Sequence, residues 1–384
     1  MNEVEILNLI ELGEDSKTQF KENIHSPDSL AQEKVAFSNA SGGKILIGVQ
    51  DDGKIKDLTM KDIQRLNQMV SNVSSNNLEP PINPLTETLK INGKKIMVVE
   101  IKKGINKPYC TNKGIYLTKA GADKRKISQE ELQRLFQDSN KIYADEMSVM
   151  RTSIKDIDTI NFKRIFERIY EESVEESNLS LQQLLNNLDL MSDKNLTLAG
   201  LLLFGEKPQA RRPLFMIKAI SFFGNDPAGT EYRDEEEIRG TILEQYKGGK
   251  SFLLRNLKKI QTKPSFNSEG TSEIPKIVIE ELLVNALIHR NYYINSPIRL
   301  FIFDNRVEIV SPGKLPNTLT VEKIKYGLSV ARNPVLNSFA AKILPYRGIG
   351  TGILRAYKAF PDIEFENNVE MDQFKAIIYR LKTE

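Results

Sequence analysis

The stretch IPKIVIEELLVNALIHRNY at 274–292 decides the fold of the second half of the chain. Its apolar residues recur at helical spacing, so we predict a helix there. Glu281 and Asn285 are four residues apart and project from the same helix face. A carboxylate beside an amide oxygen suits magnesium, and the carboxylate can also act as a general base toward water. A solvated helix face is the alternative interpretation of this pair. The apolar residues expected on the opposite face are Ile277, Leu282, Leu283, Ala286 and Leu287.

Two further patterns follow this helix. The segment IRLFIFDNRVEIVSPGKLP at 298–316 predicts two strands that end at Ser311-Pro312-Gly313, where a glycine lets the backbone approach a planar base. The segment YRGIGTGILRAY at 346–357 predicts a glycine-rich start of a helix, whose free amides suit phosphates. Each pattern alone is common in turns, but their order and spacing favour a nucleotide site. The alternating glycines are Gly348, Gly350 and Gly352.

In these motifs, residues 197–384 resemble a divergent branch of the GHKL ATPase superfamily, which includes gyrase, histidine kinases and MutL proteins. The resemblance implies that Asn285 and Glu281 lie at a magnesium ion, with Glu281 as the base. It also implies that residues 348–352, including Thr351, surround the phosphates of ATP. Ser311 and Gly313 stand where the family usually has Asp-x-Gly for adenine, and a hydroxyl accepts that hydrogen bond more weakly than a carboxylate. Weak ATP hydrolysis is the candidate enzyme activity.

The N-terminal block contains GEDSKTQFKEN at 13–23, KVAFSNASGGKILIGVQDDGKI at 34–55 and GIYLTKAGADKRKISQEELQRL at 114–135. Over about 1–137 the chain resembles the Schlafen-type AlbA-like domain, and proteins that join this domain to the C-terminal type are often labelled RecG-like. The resemblance implies nucleic-acid binding. The matching motifs are Phe20-Lys21, Ala36-Phe37-x-Asn39, Gly42-Gly43 and Ile47-Gly48-Val49.

Basic residues are concentrated between 102 and 126, with Tyr109 and Tyr116 interleaved for stacking on bases. Such a stripe is typical of contacts with a phosphate backbone. A solvated strand edge protected by lysines is the alternative. The stripe also contains Lys102 and Lys126, and the residues predicted to bind DNA or RNA are Lys21, Lys103, Lys107, Lys113, Lys119, Lys124 and Arg125.

A metal-dependent nuclease of Schlafen type, gated by ATP, is the rival interpretation. Such chemistry needs several carboxylates around one or two ions. Glu14 occupies the first position of the family pattern, but Gln19 occupies the second. Asp51 and Asp52 are the remaining candidate ligands, and an Asp-Gly turn is the alternative role for them.

Length and composition limit the class of protein and its cellular location. The 384 residues carry a net charge of +3 and a single cysteine, so no intrachain disulfide can form. We see neither a signal peptide nor a membrane span and expect a cytoplasmic protein.

The expected fold class is α/β (α+β). We expect a nucleic-acid-binding domain at 1–140, a helical connector at 141–195 and an ATP-binding domain at 196–384. Strands at 85–91 and 95–102 are predicted to form a hairpin with its turn at Asn92-Gly93. Residues 197–204 fit either helix or strand, and a long helix is predicted over about 236–258.

These expectations combine into a nucleotide-switched, nucleic-acid-binding regulator that uses ATP and Mg²⁺ and forms a homodimer or higher oligomer. Transcription control and phage defence are the compatible settings. An ATP-dependent protein-interaction switch without nucleic acid is the third interpretation, and steep salt dependence of binding would separate it from the first.

Overall fold

The computed structural model describes residues 2–139, 142–229, 231–260, 270–316 and 319–380. The chain divides into two compact units, Met1–Ile142 and Tyr143–Glu384. The predicted domain boundary between 140 and 141 lies outside the described residues.

The first unit is built on a four-stranded mixed sheet in the order β1-β2-β5-β4, where β1 and β2 are parallel. Two short ribbons, β3 with β6 and β7 with β8, accompany this sheet. Its elements are α1 (Glu3–Leu12), β1 (Thr18–Lys21), α2 (Pro27–Asn39), β2 (Gly42–Ile47), α3 (Met60–Asn76), β3 (Leu78–Glu79), β4 (Leu85–Ile91), β5 (Lys94–Lys102), β6 (Cys110–Thr111), β7 (Leu117–Ala120), β8 (Asp123–Lys126) and α4 (Gln129–Asp138).

The local sequence explains how the first unit folds. Asn92 and Gly93 both have positive φ, 49° and 80°, which is the backbone of a tight hairpin turn, so the predicted β4–β5 hairpin is confirmed. Strands β2 and β5 alternate side chains between two apolar clusters, one on each face of the sheet. Helices α2 and α3 cover one face, and α1 contributes Ile6 to the other.

The second unit contains a six-stranded mixed sheet in the order β12-β11-β15-β16-β18-β17. Strands β11 and β15 are parallel, and the other neighbours are antiparallel. Its elements are a 3₁₀ turn (Ile154–Asp156), α5 (Thr159–Tyr170), α6 (Leu181–Asn187), β9 (Met191–Ser192), β10 (Asn195–Leu196), α7 (Leu198–Phe204), α8 (Pro208–Arg211), β11 (Ile217–Phe222), β12 (Tyr232–Ile238), α9 (Ile242–Asn256), β13 (Lys259–Ile260), β14 (Thr271–Ser272), α10 (Lys276–His289), β15 (Ile298–Ile302), β16 (Arg306–Pro312), α11 (Val321–Lys325), α12 (Pro334–Ile343), α13 (Gly352–Ala359), β17 (Ile363–Asn368) and β18 (Gln373–Tyr379).

The predicted long helix over 236–258 is wrong at its start. The acidic segment before Gly240 forms edge strand β12, which pairs with β11. Gly240 has φ +99°, and α9 then begins behind a capping box formed by Thr241 and Glu244. A charged edge strand discourages pairing with other chains, which explains why so acidic a segment can be a strand.

Helix α10 forms where it was predicted, but it is buried on more than one face. Val278, Ile279 and Val284 are buried together with the apolar residues of the expected face, whereas Ile277 is exposed. Residues 198–204, which fit either helix or strand, are the fully buried helix α7. Both helices are apolar nearly all round, as expected for helices enclosed by a domain core.

Residues 143–195, most of the segment predicted as a helical connector, belong to the second unit. Phe162 and Phe166 of α5 join the same apolar core as α10 and the sheet. Asp145 is fully buried, and its Oδ2 accepts a hydrogen bond of 2.9 Å from the Leu336 amide in the first turn of α12. The apolar side chains of this segment therefore draw it into the core.

The two mixed sheets with their surrounding helices confirm the predicted α+β class. Within the residues that the structure describes, no helix is long and apolar enough to cross a membrane.

Burial of Asp145 predicts a pH-dependent stability. Desolvation raises the pKa of its carboxyl to about 6, so folding is favoured when the group is protonated, and this contribution is lost as the pH rises from about 4 through 6. The free energy of unfolding of the Asp145→Asn variant minus that of the parent should rise by up to about 3 kcal/mol as the pH increases from 4 to 7.5. Urea unfolding followed by circular dichroism measures this change. The exposed control Glu206→Gln should show no such trend, and an equal trend in both variants would contradict the assignment.

Candidate nucleotide site

A cavity in the second unit lies between α10, the end of β16 and the segment 346–353. Three sequence patterns separated by up to about 70 positions therefore meet at one place. The predicted site residues that line the cavity are Asn285, Ser311, Gly313, Gly350 and Gly352.

The end of β16 is held against α10 by close backbone packing. Ser311 is buried, and its Oγ donates to the Ala286 carbonyl over 3.3 Å, which leaves the hydroxyl oxygen free to accept a hydrogen bond. Gly313 has φ +99°, and a Cβ there would lie 2.5 Å from the Asn291 Cβ. Only glycine fits this position without displacing the chain.

Of the predicted pair on α10, Asn285 lines the cavity and Glu281 does not. Asn285 Nδ2 donates to the Glu281 carbonyl over 2.6 Å, which leaves Oδ1 outside this hydrogen bond. The Glu281 side chain is only 2% exposed and does not line the cavity. Its Oε1 pairs with Arg355 of α13, and its Oε2 has no hydrogen-bond partner within the described chain. Burial raises the pKa of Glu281, although the charges of Arg355 and Arg347 oppose this shift.

A different structural feature explains why each of the three alternating positions is a glycine. Gly348 and Gly350 adopt left-handed φ values of 68° and 77°. Gly352 starts α13, and a Cβ there would overlap the Glu281 carboxylate and lie 3.4 Å from Asn285 Nδ2. Thr351 stands at the N-cap without a side-chain capping bond, so it does not occupy the amides of the first turn.

His289 and Arg355 are polar residues at this site that the sequence did not predict as members. His289 lines the cavity, and its Nε2 lies 3.1 Å from the Tyr346 hydroxyl, which donates to Asn337 over 3.0 Å. Burial and the nearby Arg332 charge lower the pKa of His289 to about 4, so its imidazole is neutral at physiological pH. Arg355 is the second such residue. Its position one helical turn after Gly352 was the available sequence signal.

Two of the predicted nucleic-acid-binding residues are internal. Lys107 is 6% exposed, and its ammonium donates to the Asn39 and Ala40 carbonyls, each over 2.6 Å, at the end of α2. Lys119 is 9% exposed, and its ammonium donates to Gln19 Oε1 over 2.7 Å. Both cations satisfy internal oxygens in this structure, which the sequence pattern alone did not reveal.

The other predicted cations lie nearer the surface. Lys113 pairs with Asp28, Lys124 with the buried Glu33, and Arg125 with Glu131, at 2.5, 2.7 and 2.8 Å. Within the described chain, Lys103 is exposed and Lys21 half-buried, and neither forms an ion pair. The exposed Lys102 and Lys126 belong to the same stripe.

The two tyrosines interleaved in the stripe are less accessible than expected. Tyr109 is buried, and its hydroxyl accepts a hydrogen bond from the Asn106 amide over 3.2 Å. Tyr116 is half-buried, with its ring edge-on to Phe136 at 6.2 Å between centroids. The Tyr109 ring is therefore not free for the stacking that we expected, and the Tyr116 ring is partly covered.

The candidate nuclease ligands do not form a cluster. Glu14 Oε1 accepts hydrogen bonds from the Phe20 amide, over 2.6 Å, and from the Gln19 side chain. Asp51 and Asp52 lie in an exposed turn, and Asp52 pairs with Lys54 at 2.6 Å. In the part of the chain that is described, no three His, Cys, Asp or Glu side chains converge as a metal site.

Comparison with protein families confirms both resemblances. Residues 14–128 match the model described as "Schlafen, AlbA_2", and residues 295–377 match "Putative ATP-dependent DNA helicase recG C-terminal". Residues 133–218 match a domain of unknown function. The first two matches together indicate a nucleic-acid-related, ATP-binding class of protein.

Solved structures that are similar to this chain include the following two. The DIP2311 protein from Corynebacterium diphtheriae is 18% identical, with 98% of this chain and 80% of that chain covered and a TM-score of 0.48. The N-terminal domain of a RecG-related protein from Nitrosomonas europaea is 19% identical, with 34% and 95% covered and a TM-score of 0.24. The comparison with curated proteins gave no match.

Proposed function

We propose that the second unit binds Mg-ATP in the cavity between α10, β16 and α13. The observation that carries this proposal is the convergence of an asparagine, a strand-end glycine and a glycine-rich helix start around one cavity. Such a cavity combines an apolar pocket with a few polar groups, as small-molecule sites usually do.

Each part of ATP has a matching feature in this cavity. The adenine amino group would donate to Ser311, beside the close backbone approach at Gly313. The phosphates would lie at the glycine segment and the first turn of α13, where backbone amides suit anions. Lys314 and Arg332 also line the cavity and add positive charge.

The residues present also fit a magnesium ion. Asn285 Oδ1 is free of helix hydrogen bonds, and Glu281 Oε2 is a buried oxygen with no partner in the described chain. Asn285 Oδ1, together with phosphate oxygens and waters, suits this ion, which would neutralise phosphate charge when bound. Glu281 Oε2 would join these ligands only after the carboxylate leaves its contact with Gly352. Glu281 is the residue that would accept the proton of an attacking water in a weak ATPase.

We further propose that the first unit binds DNA or RNA and that ATP switches this binding in a regulator acting as a homodimer or higher oligomer. Exposed basic residues of the stripe support the first part, because surface lysines can neutralise phosphates. Functional domains at 1–140 and 196–384 fit this division of roles. Transcription control and phage defence are the settings we favour, and cytoplasmic location fits both.

Loss of Asn285 should weaken Mg-ATP binding. The Asn285→Ala variant removes one ligand oxygen, so its Kd for ATP in the presence of magnesium should rise at least about tenfold. Isothermal titration calorimetry of parent and variant, with and without magnesium, measures this. Asn295→Ala, an exposed position beyond α10, is the matched control and should bind like the parent. If the parent shows no heat of binding, or if both variants lose affinity equally, the proposed site is wrong.

Charge reversal at the exposed pair Lys102 and Lys103 should weaken nucleic-acid binding. In the double variant K102E/K103E, affinity for single-stranded RNA, tRNA and duplex DNA should fall, and the slope of log K against log salt should decrease by about two. Filter binding at several salt concentrations measures both quantities. The matched control K61E/K90E reverses two exposed lysines outside the stripe. Equal weakening by the control, or no binding of any nucleic acid by the parent, would contradict the proposal.

A further inference from the structure

The ion pair between Glu281 and Arg355 joins α10 to α13 beside the proposed nucleotide site. We propose that Arg355 is an inhibitory latch, which holds the carboxylate of Glu281 away from the water that would attack ATP. This inference rests on the proposed function and adds a regulatory residue to the same site. Its consequence is a resting protein that binds Mg-ATP and hydrolyses it very slowly.

The geometry leaves neither oxygen of Glu281 available to a water in this state. Oε1 is engaged by the Arg355 guanidinium. Oε2 lies against Gly352 so closely that even a Cβ there would overlap it. Asn285, one helical turn further on, lines the cavity, whereas Glu281 does not. A general base must come within hydrogen-bond reach of the proton that it takes, so the latched carboxylate cannot act.

The positive charge of Arg355 also makes Glu281 a weaker base. Burial raises the pKa of Glu281 and would make it a better base, but the Arg355 charge lowers the pKa again. A guanidinium also occupies a lone pair of the carboxylate through a charge-assisted hydrogen bond. The ion pair therefore reduces both the basicity of Glu281 and the access to it.

The latch is built so that it can open. The Arg355 side chain is 26% exposed, and its buried Nε has no hydrogen-bond partner within the described chain. An incompletely satisfied guanidinium gains by meeting another anion, so an anionic group other than the bound ATP would draw Arg355 away from Glu281 and open the latch.

The reaction that the latch restrains is ordinary hydrolysis. Water supplies the oxygen of the new bond to the γ-phosphorus, the bond between that phosphorus and the bridging oxygen breaks, and ADP leaves. Glu281 takes the proton that water gives up. No oxidant or further reactant is required.

The test uses the full chain and Arg355→Gln, which removes the charge but keeps a polar side chain. In this variant, kcat for ATP hydrolysis should rise at least about tenfold, while the Kd for Mg-ATP stays within about threefold of the parent value. A second substitution, R355M, keeps the unbranched stem and should behave alike, so the test does not depend on the folding of one variant. Lys358→Gln removes an exposed charge from the same helix and is the matched control, expected to match the parent.

Two further readouts separate a latch from a merely structural contact. The double variant R355Q/E281Q should lose the gained turnover, because the released base is then absent. Retention of the parent Kd for Mg-ATP beside the raised kcat is the second readout, because a merely structural defect would change both quantities. Turnover by R355Q and R355M at or below the parent rate, with Mg-ATP binding intact, would overturn the latch. Absence of Mg-ATP binding in the parent would instead show that the proposed function itself is wrong.

Discussion

The close approach of α13 to α10 is the constraint on which the second unit depends. Gly352 lies against the Glu281 carboxylate, where a Cβ would not fit, and Arg355 pairs with the same carboxylate one turn later. This contact places the glycine-rich segment opposite Asn285 and so forms one wall of the cavity. Any larger residue at 352 would separate the two helices, because a packed interior yields little to added atoms.

Helix α10 can form a fixed side of the cavity because core packing and hydrogen bonds at its C-terminal end restrain its position. Its apolar residues belong to the core that includes the six-stranded sheet. At its C-terminal end, Asn333 donates to the Ile288 and Arg290 carbonyls over 2.8 and 2.9 Å. The Arg290 guanidinium lies over the rings of Phe215 and Tyr292, at 4.8 and 4.7 Å from the ring centroids. Polar groups on a helix held in this way keep their positions, which favours preorganised binding.

Local patterns in the sequence predicted much of this molecule, whereas tertiary partners could not be predicted. The β4–β5 hairpin and helix α10 followed from turn residues and periodicity. Edge strand β12 was mistaken for helix, because its partner β11 supplies the pairing that its own sequence does not reveal. Lys107 was taken for a surface cation, since only the folded chain shows the end of α2 beside its ammonium. Arg355 was missed for the same reason.

The central claim is that ATP occupies the cavity between α10, β16 and α13, and hydrogen–deuterium exchange tests it most directly. We predict that Mg-ATP slows amide exchange in three separate segments, 281–289, 311–316 and 348–355, while β12 and α5 keep their rates. ATP without magnesium should protect these segments less. Unchanged exchange in all three segments at saturating Mg-ATP, or protection confined to another part of the chain, would contradict the account.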